Sequence, residues 1–445
     1  MDTRATTAIP ATLKASSTAS ISAALSPDTS VAGSVPAAVS PDAFTTASVP
    51  VAVSPATSTT ASGSASTHKY PYTRIVFWEP CVSPHKSAFF HAVAERFGPS
   101  VEIRCVAHEG VPDTRQALGW GDEASSAPST DVAPTPERIA AIIESGGDRC
   151  LHVFSGIRWF STLTTALQLV RVQRRAFAIM SEPRDNAGLK GVVRFAQSWL
   201  TESWLRRRVE FVLAIGRHGP PWFQSVGYRR DRVFPFAYFL PPPPLAAQAA
   251  TLDEAAQAPL HIAYVGRLID AKGVRYLPAA MHALGPGARL SVIGDGELRT
   301  SMVEHAAQLG IDAEFCGVLP IDQVQRRMAT FDVLVLPSTT RDDGWGAVIS
   351  EALMAGTAVV ASHCTGASVL LDSPRNGRVV PPGDSEAIAR AVLELQQTGQ
   401  LTARARRYRA NWAADRLTAR AGASYFEHIV RHRAGHALRP KEFFL

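Results

Sequence analysis

Two carboxylates, Asp343 and Glu351, stand eight positions apart in Arg-Asp-Asp-Gly-Trp-Gly-Ala-Val-Ile-Ser-Glu-Ala-Leu-Met-Ala-Gly-Thr, residues 341–357. The first lies in a Gly-rich stretch and the second inside a helical pattern that opens near Gly346, with Val348, Ile349, Ala352 and Leu353 on one face. The apolar run 331–336 just before them reads as a buried strand. A strand, a loop and a helix start therefore meet at the two acids. Free N–H groups at a helix start favour anions, and carboxylates accept hydrogen bonds from hydroxyls. The pair suits a ligand that carries both phosphates and hydroxyls, such as a nucleotide sugar.

Upstream, Tyr264-Val265-Gly266-Arg267-Leu268 ends one strand, and Lys272-Gly273 follows before a helix. Gly266 lets backbone approach a ligand, and Arg267 with Lys272 brings two cations to one turn, suited to a diphosphate. Val292-Ile293-Gly294-Asp295-Gly296-Glu297-Leu298 repeats the strand, Gly-rich turn and helix plan.

The elements that must hold these residues alternate as a parallel sheet requires. Strands are expected at 74–78, 101–106, 150–154, 176–180 and 211–215, with helices at 87–97, 161–174 and 191–208 among them. The stretch 119–136 is polar and Pro-containing and reads as a loop. A second alternation places strands at 261–265, 289–293, 312–315, 332–336, 358–361 and 377–380. The fold class is α/β, two Rossmann-like domains facing a central cleft, over residues 70–243 and 260–400. Residues 244–259, after the prolines Pro241 to Pro244, read as a linker. Residues 401–445 read as a helical segment packing back on the first domain. Residues 1–67 are almost wholly Ala, Ser, Thr, Val and Pro, with Ser-Pro pairs beginning at Ser26, Ser40 and Ser54. So few large apolar groups cannot offset the entropy of ordering, and a disordered tail is expected.

Taken in order, residues 262–395 resemble the nucleotide-binding domain of family-4 glycosyltransferases of the GT-B fold. The resemblance rests on Gly-Arg-Leu with Lys-Gly, Ile-Gly-Asp-Gly-Glu-Leu-Arg, Phe-Cys-Gly-Val, Val-Leu-Pro-Ser, and the two acids leading into Ala-Gly-Thr-Ala-Val-Val-Ala. It implies a retaining, metal-independent glycosyltransferase that moves a hexose from a nucleotide diphosphate sugar to a glycan or lipid-linked saccharide acceptor in envelope polysaccharide biosynthesis. By that resemblance Arg267 and Lys272 bind the donor diphosphate, Glu351 takes the ribose hydroxyls and Asp343 faces the transferred sugar. Gly266, Gly294, Gly317, Gly344, Trp345 and Gly346 complete the donor side. The family usually has Glu where this chain has Asp343, one methylene shorter. Two alternatives stay open: a non-catalytic nucleotide-sugar-binding or assembly subunit, and a same-fold nucleotide-sugar epimerase.

In the first domain the cleft candidates are His85, at a helix start after Ser83-Pro84, His152 in Leu-His-Val-Phe, and Glu182 in Ser-Glu-Pro. On strand alternation His152 shares a face with Phe154, which argues for a core position. His428, His432 and His436 fall on one helical face, but beside Arg431 and Arg433 they read as a solvated surface and not as a metal stripe. The 445 residues contain no Asp-x-Asp and five widely spaced Cys, so neither a metal nor a cofactor is expected. Net charge is +6, carried by 39 Arg and six Lys. The basic runs 204–208 and 404–409 are candidates for peripheral contact with anionic lipid. Across the chain the basic residues show no aromatic interleaving of the sort that stacking on a nucleic acid requires. No apolar run is long enough to span a bilayer, so a cytoplasmic protein at the inner face of the membrane is expected.

Overall fold

The computed structural model describes residues 69–116, 129–242, 259–341 and 344–445. The tail 1–67 and nearly all of the linker 244–259 lie outside them. The first sheet is built from β1 (Arg74–Cys81), β2 (Glu102–Glu109), β3 (Thr130–Val132), β4 (Cys150–Phe154), β5 (Ala176–Ser181), β6 (Val212–Ile215) and β7 (Val233–Phe236). The second contains β8 (Leu260–Val265), β9 (Ala288–Ile293), β10 (Ala313–Gly317), β11 (Val333–Leu336), β12 (Ala358–Ser362) and β13 (Gly377–Val380). All pairings are parallel, in the orders 3-2-1-4-5-6-7 and 10-9-8-11-12-13. The residues of β4, β6, β11 and β12 are buried throughout, and Val, Ile, Leu and Ala make up β6, β11 and all of β12 but Ser362. That is what a strand covered on both faces by helices requires. Strand order reverses between β1 and β4 in one sheet and between β8 and β11 in the other, and a ligand crevice opens at such a reversal.

Two local expectations are corrected. The loop expected over 119–136 contains β3, an edge strand paired with β2, and a helix Pro136–Gly146 begins at its end. Thr135 caps that helix by accepting the Arg138 N–H at 3.3 Å, a signal present in Thr-Pro-Glu. The first strand runs on past Trp78 to Cys81, because Glu79 and Cys81 still pair with β2.

The last two helices divide between the sheets. Ala403–Leu417 packs on the helix Ala347–Met354 of the second domain, and Ala419–Arg433 packs on Pro84–Phe97 of the first. Phe426 joins Phe77, Phe89, Phe97 and Phe211 at ring separations of 5.7 to 6.2 Å. Glu427 accepts from Tyr70 and Arg96, both at 2.6 Å. Between these helices the chain crosses back beside its earlier crossing: Leu240 N donates to Leu417 O at 3.0 Å and Ala419 N to Leu240 O at 2.7 Å. The two crossings are thus bonded to each other.

The basic run 404–409 proves to be partly interior. Arg409 is fully buried and donates to Gly356 O at 2.6 Å, Gln400 O at 2.7 Å and Arg375 O at 3.0 Å, while Arg406 donates to Phe331 O and Ala329 O. These guanidiniums satisfy carbonyls at element ends and are not a lipid-facing patch. Burial drives the Arg409 pKa down to about 9, with Arg406 adding to the shift. Arg409→Ala strands three inward carbonyls and lowers stability by about 2 kcal/mol. Arg409→Lys recovers little of it, because an ammonium lacks the planar fork that reaches three acceptors. Urea unfolding of the three proteins measures both effects.

Candidate active site

The floor of the second-domain crevice is made of backbone. Gly266 follows β8, Gly294 follows β9 and Gly317 ends β10; Gly266 N donates to Ile293 O at 2.9 Å and Gly294 N to Gly317 O at 2.8 Å. A Cβ on Gly294 would stand 2.0 Å from Gly266 O, and Gly294 holds φ +130. No side chain therefore separates a ligand from these strand ends. Arg267 projects from this floor, exposed and with no ion pair among the described residues. Its carbonyl is held by the Tyr264 hydroxyl at 2.7 Å.

Lys272 is placed by a stitched turn. Residues Asp270–Lys272 form a 3-10 turn closed by Gly273 in the left-handed region at φ +67, where a Cβ would meet Pro337 O at 2.0 Å. Thr339 N donates to Ala271 O at 2.9 Å and its hydroxyl to Asp270 O at 3.0 Å. The half-buried Lys272 thus sits beside the chain leaving β11, across the strand-order reversal from Gly266.

That chain leads to the helix Ala347–Met354, whose N-terminus begins at Gly346 with φ 78 and has no side-chain cap. Asp343 lies outside the described residues. Gly344 is in the left-handed region at φ +54. The Trp345 expectation is corrected at the side chain: its indole is fully buried, donating from Nε1 to Ser350 Oγ at 3.0 Å. It anchors the loop from below, so only backbone faces a ligand there. Glu351 is half-buried one helical turn on. Burial of its carboxyl raises the pKa to about 7, with a hydrogen bond from Gln325 pulling the other way.

The first domain meets this loop directly. Glu182, just beyond β5, lies where a Gly344 Cβ would be, 2.0 Å from its Oε1, and it accepts from the Tyr238 hydroxyl at 2.7 Å. Arg341 donates to Asn186 Oδ1 at 2.5 Å. On the other side Arg217 N donates to Gly366 O at 2.8 Å, and its guanidinium reaches Ser368 Oγ and O, both at 2.9 Å, and pairs with Asp372. Gly216, Gly344 and Gly366 touch through bare backbone. The carboxyl ends of the two sheets therefore face each other across one cleft.

His85 occupies the first turn of Pro84–Phe97, half-buried at the end of β1 on the cleft side. Lys86 beside it is bound to Glu79 at 2.7 Å and Ser155 at 3.1 Å, and Ser155 donates to Glu79 at 2.5 Å. This triad closes the β1/β4 reversal. His152 is withdrawn from the cleft: it is fully buried, and its Nδ1 accepts the Trp78 indole N–H at 3.2 Å. Burial, with Arg175 and Arg74, holds its pKa down to about 3, so it stays neutral. Of the three candidate cleft residues, the structure brings Glu182 against Gly344, leaves His85 at the rim and holds His152 in the core.

Sequence reasoning missed Arg217, Tyr238 and the contacts that tie Lys86 to Glu79 and Ser155. Arg217, Tyr238 and Ser155 follow strand ends, the one available signal, while Glu79 lies within β1, and the partners come from elements as much as 155 positions away. Among the described residues no three His, Cys, Asp or Glu side chains converge as metal ligands, and His432 Nδ1 bonds Ala437 O at 3.0 Å. No described helix is long and apolar enough to cross a membrane.

Residues 259–398 match the family model described as glycosyl transferases group 1. The lipopolysaccharide core biosynthesis glycosyltransferase LpsE of Rhizobium meliloti is 32% identical over 160 residues, 36% of this chain and 46% of that protein. The 2-deoxystreptamine glucosyltransferase of Streptomyces kanamyceticus is 32% identical over 183 residues, 40% of this chain and 44% of that one. These matches thus span less than half the length of either relative. The structure resembles that of Anabaena Alr3699/HepE, solved with UDP, at a TM-score of 0.61 and 16% identity, covering 79% of this chain and 98% of that one. The two-sheet architecture is the GT-B fold.

Proposed function

We propose, from the match of residues 259–398 to the family model described as glycosyl transferases group 1, that this chain transfers a hexose from a nucleoside diphosphate sugar to a glycan or lipid-linked saccharide, with retention and without a metal. The single observation that carries the reading is the stitching of the Lys272 turn to the end of β11, which fixes a cation beside a three-glycine floor and opposite an uncapped helix start. Departure of the diphosphate builds negative charge there, and preorganised positive groups stabilise it. Lys272 and Arg267 take the diphosphate and Glu351 accepts from the ribose hydroxyls. Asp343 faces the sugar, with Glu182 and Tyr238 closing the cleft above it. LpsE is named for lipopolysaccharide core synthesis, which supports a saccharide of the cell envelope as acceptor.

Thermal denaturation with a panel of nucleotide sugars, followed by mass spectrometry of acceptor incubations, tests it. At saturation the correct donor raises the midpoint by about 5 °C or more. No shift with any donor, or an equal shift in Glu351→Ala, contradicts the assignment.

The Glu351 pKa gives a second test. The ribose hydroxyls donate to the ionised carboxylate, so binding favours the charged form. With a free-protein pKa of about 7, the ionised fraction falls about tenfold between pH 8 and pH 6. Donor affinity drops by about the same factor over that interval, read by calorimetry with a donor whose diphosphate is doubly esterified and does not itself titrate there. In Glu351→Gln the slope disappears. The stability linkage has the opposite sense: a carboxyl raised above its unfolded value loses stability as pH rises toward 7 and is level above it.

A further inference from the structure

The helix Gly188–Thr201 is amphipathic but faces the reverse of the usual way. Its buried residues are Gly191 and Ser198, while Leu189, Val192, Val193, Trp199 and Leu200 are exposed, Leu189 at 87%. At about 100° per residue those five fall in one stripe roughly 120° wide, with Gly191 and Ser198 behind it. Polar fastenings hold the inner face. Arg184 donates to Ser198 Oγ at 3.0 Å, and Arg206 donates to Ser198 O at 3.1 Å and Trp199 O at 2.6 Å. The apolar stripe is thus presented outward by design of its contacts, and a surface this apolar marks a binding face.

The surroundings identify what covers it. Residues 189–208 carry five basic side chains against one carboxylate, Glu202. That carboxylate is buried and bound by Arg158 at 2.5 Å and Tyr228 at 2.9 Å. Beyond the helix lies an open cavity of about 410 Å³ lined by Ser203, Arg206, Arg207, Gly227, Arg229 and Arg232. Four guanidiniums line this hollow, and although Arg206 and Arg232 also donate to backbone carbonyls, their combined positive charge suits phosphate. Asp231, between two of them in sequence, is paired with Arg229 at 3.0 Å. Arg206 lies over the Trp199 ring at 5.8 Å. A second exposed indole, Trp159, stands next to Arg158, which reaches Thr201. Indoles beside phosphate-binding cations are the composition of a water–hydrocarbon boundary. A second copy of this chain would bring like charges together across a two-fold contact, which argues against self-association.

We propose that Gly188–Thr201 lies in the surface of an anionic lipid bilayer, with the stripe among the acyl chain ends and the arginines on lipid phosphates. A lone amphipathic helix with a basic rim binds in this way. The helix starts just after Asn186, which bonds Arg341 of the donor loop. If the transfer reading holds, the bound protein therefore opens its cleft at the bilayer, where a lipid-linked acceptor is held.

Co-sedimentation with phosphatidylcholine vesicles, with and without phosphatidylglycerol, tests the surface directly. The wild-type chain partitions onto the phosphatidylglycerol vesicles and at least about tenfold less onto phosphatidylcholine alone. Val193→Glu with Leu200→Glu, and separately Lys190→Glu with Arg207→Glu, each reduce that partition at least about tenfold while the thermal midpoint is kept. No wild-type partition, partition untouched by either pair, or a wild-type dimer turned monomeric by the first pair would each overturn the proposal. Donor-induced stabilisation, read on the same proteins, tests the transfer reading separately: it is present in all of them whether or not vesicles bind.

Discussion

Lys272→Ala lowers the turnover of sugar transfer by about two to three orders of magnitude and weakens donor binding much less. The asymmetry follows from when the charge appears. Under the proposed reading, each phosphate of the bound donor already carries one negative charge, met by Lys272 and Arg267; as the glycosyl bond breaks, a further charge builds on the departing oxygen. A cation contributes to the rate only in so far as it is already in place then. Lys272 is in place because its turn cannot move: Gly273 is pressed against Pro337 O, and Thr339 N holds Ala271 O at 2.9 Å. Arg267 is exposed where Lys272 is half-buried, so its loss costs about tenfold and is more easily screened by salt. Lys272→Arg restores only part of the rate, since the larger planar fork does not fit a site shaped for a point charge. Initial rates at saturating donor separate these cases, and an unchanged kcat in Lys272→Ala would remove the leaving-group role.

Much of the second domain was legible because its chemistry is local. The strands β8, β9, β11 and β12 are short apolar runs, and Gly266, Gly294 and the Lys272-Gly273 pair sit within a few residues of their ends, where a parallel sheet opens its crevice. The first domain was less legible because its cleft residues are defined by partners remote in sequence. Glu182 acquires meaning from Tyr238 and Gly344, and Arg217 from Ser368. Trp345 misled for the same reason in reverse: a Trp in a Gly-rich loop looks available until its indole is seen to be buried, whereas strand alternation already argued for the core position that His152 takes. The arginines of 404–409 look like surface charge until carbonyls at three element ends are found converging on them. Helix Gly188–Thr201 shows the limit most plainly. Its periodicity announces an amphipathic helix, but periodicity is silent on which face turns inward. Here two small residues and the Arg184 and Arg206 hydrogen bonds decide it against the apolar side.

Gly294→Ala destabilises the second domain by about 4 kcal/mol and abolishes donor binding, and the comparison that gives this meaning is Gly285→Ala. Both positions hold positive φ, +130 at Gly294 and +79 at Gly285. At Gly285 a Cβ meets nothing within 4 Å, so only the conformational penalty of a φ 79, ψ −171 backbone remains, about 2 kcal/mol. At Gly294 the same methyl arrives 2.0 Å from Gly266 O. Neither partner is a side chain that can swing away. Both are backbone at the ends of hydrogen-bonded strands, Gly266 N on Ile293 O and Gly294 N on Gly317 O. Relief therefore requires β8 and β9 to separate where the crevice floor lies, and a local clash becomes a loss of strand pairing. For a domain of this size the midpoint falls by about 8 to 16 °C in Gly294→Ala and by only about 4 to 8 °C in Gly285→Ala. Donor-induced stabilisation survives in Gly285→Ala and is lost in Gly294→Ala even at temperatures where both remain folded. Equal midpoints for the two variants would mean that the floor can shift, and that backbone closeness at Gly266 and Gly294 is not what shapes the donor site.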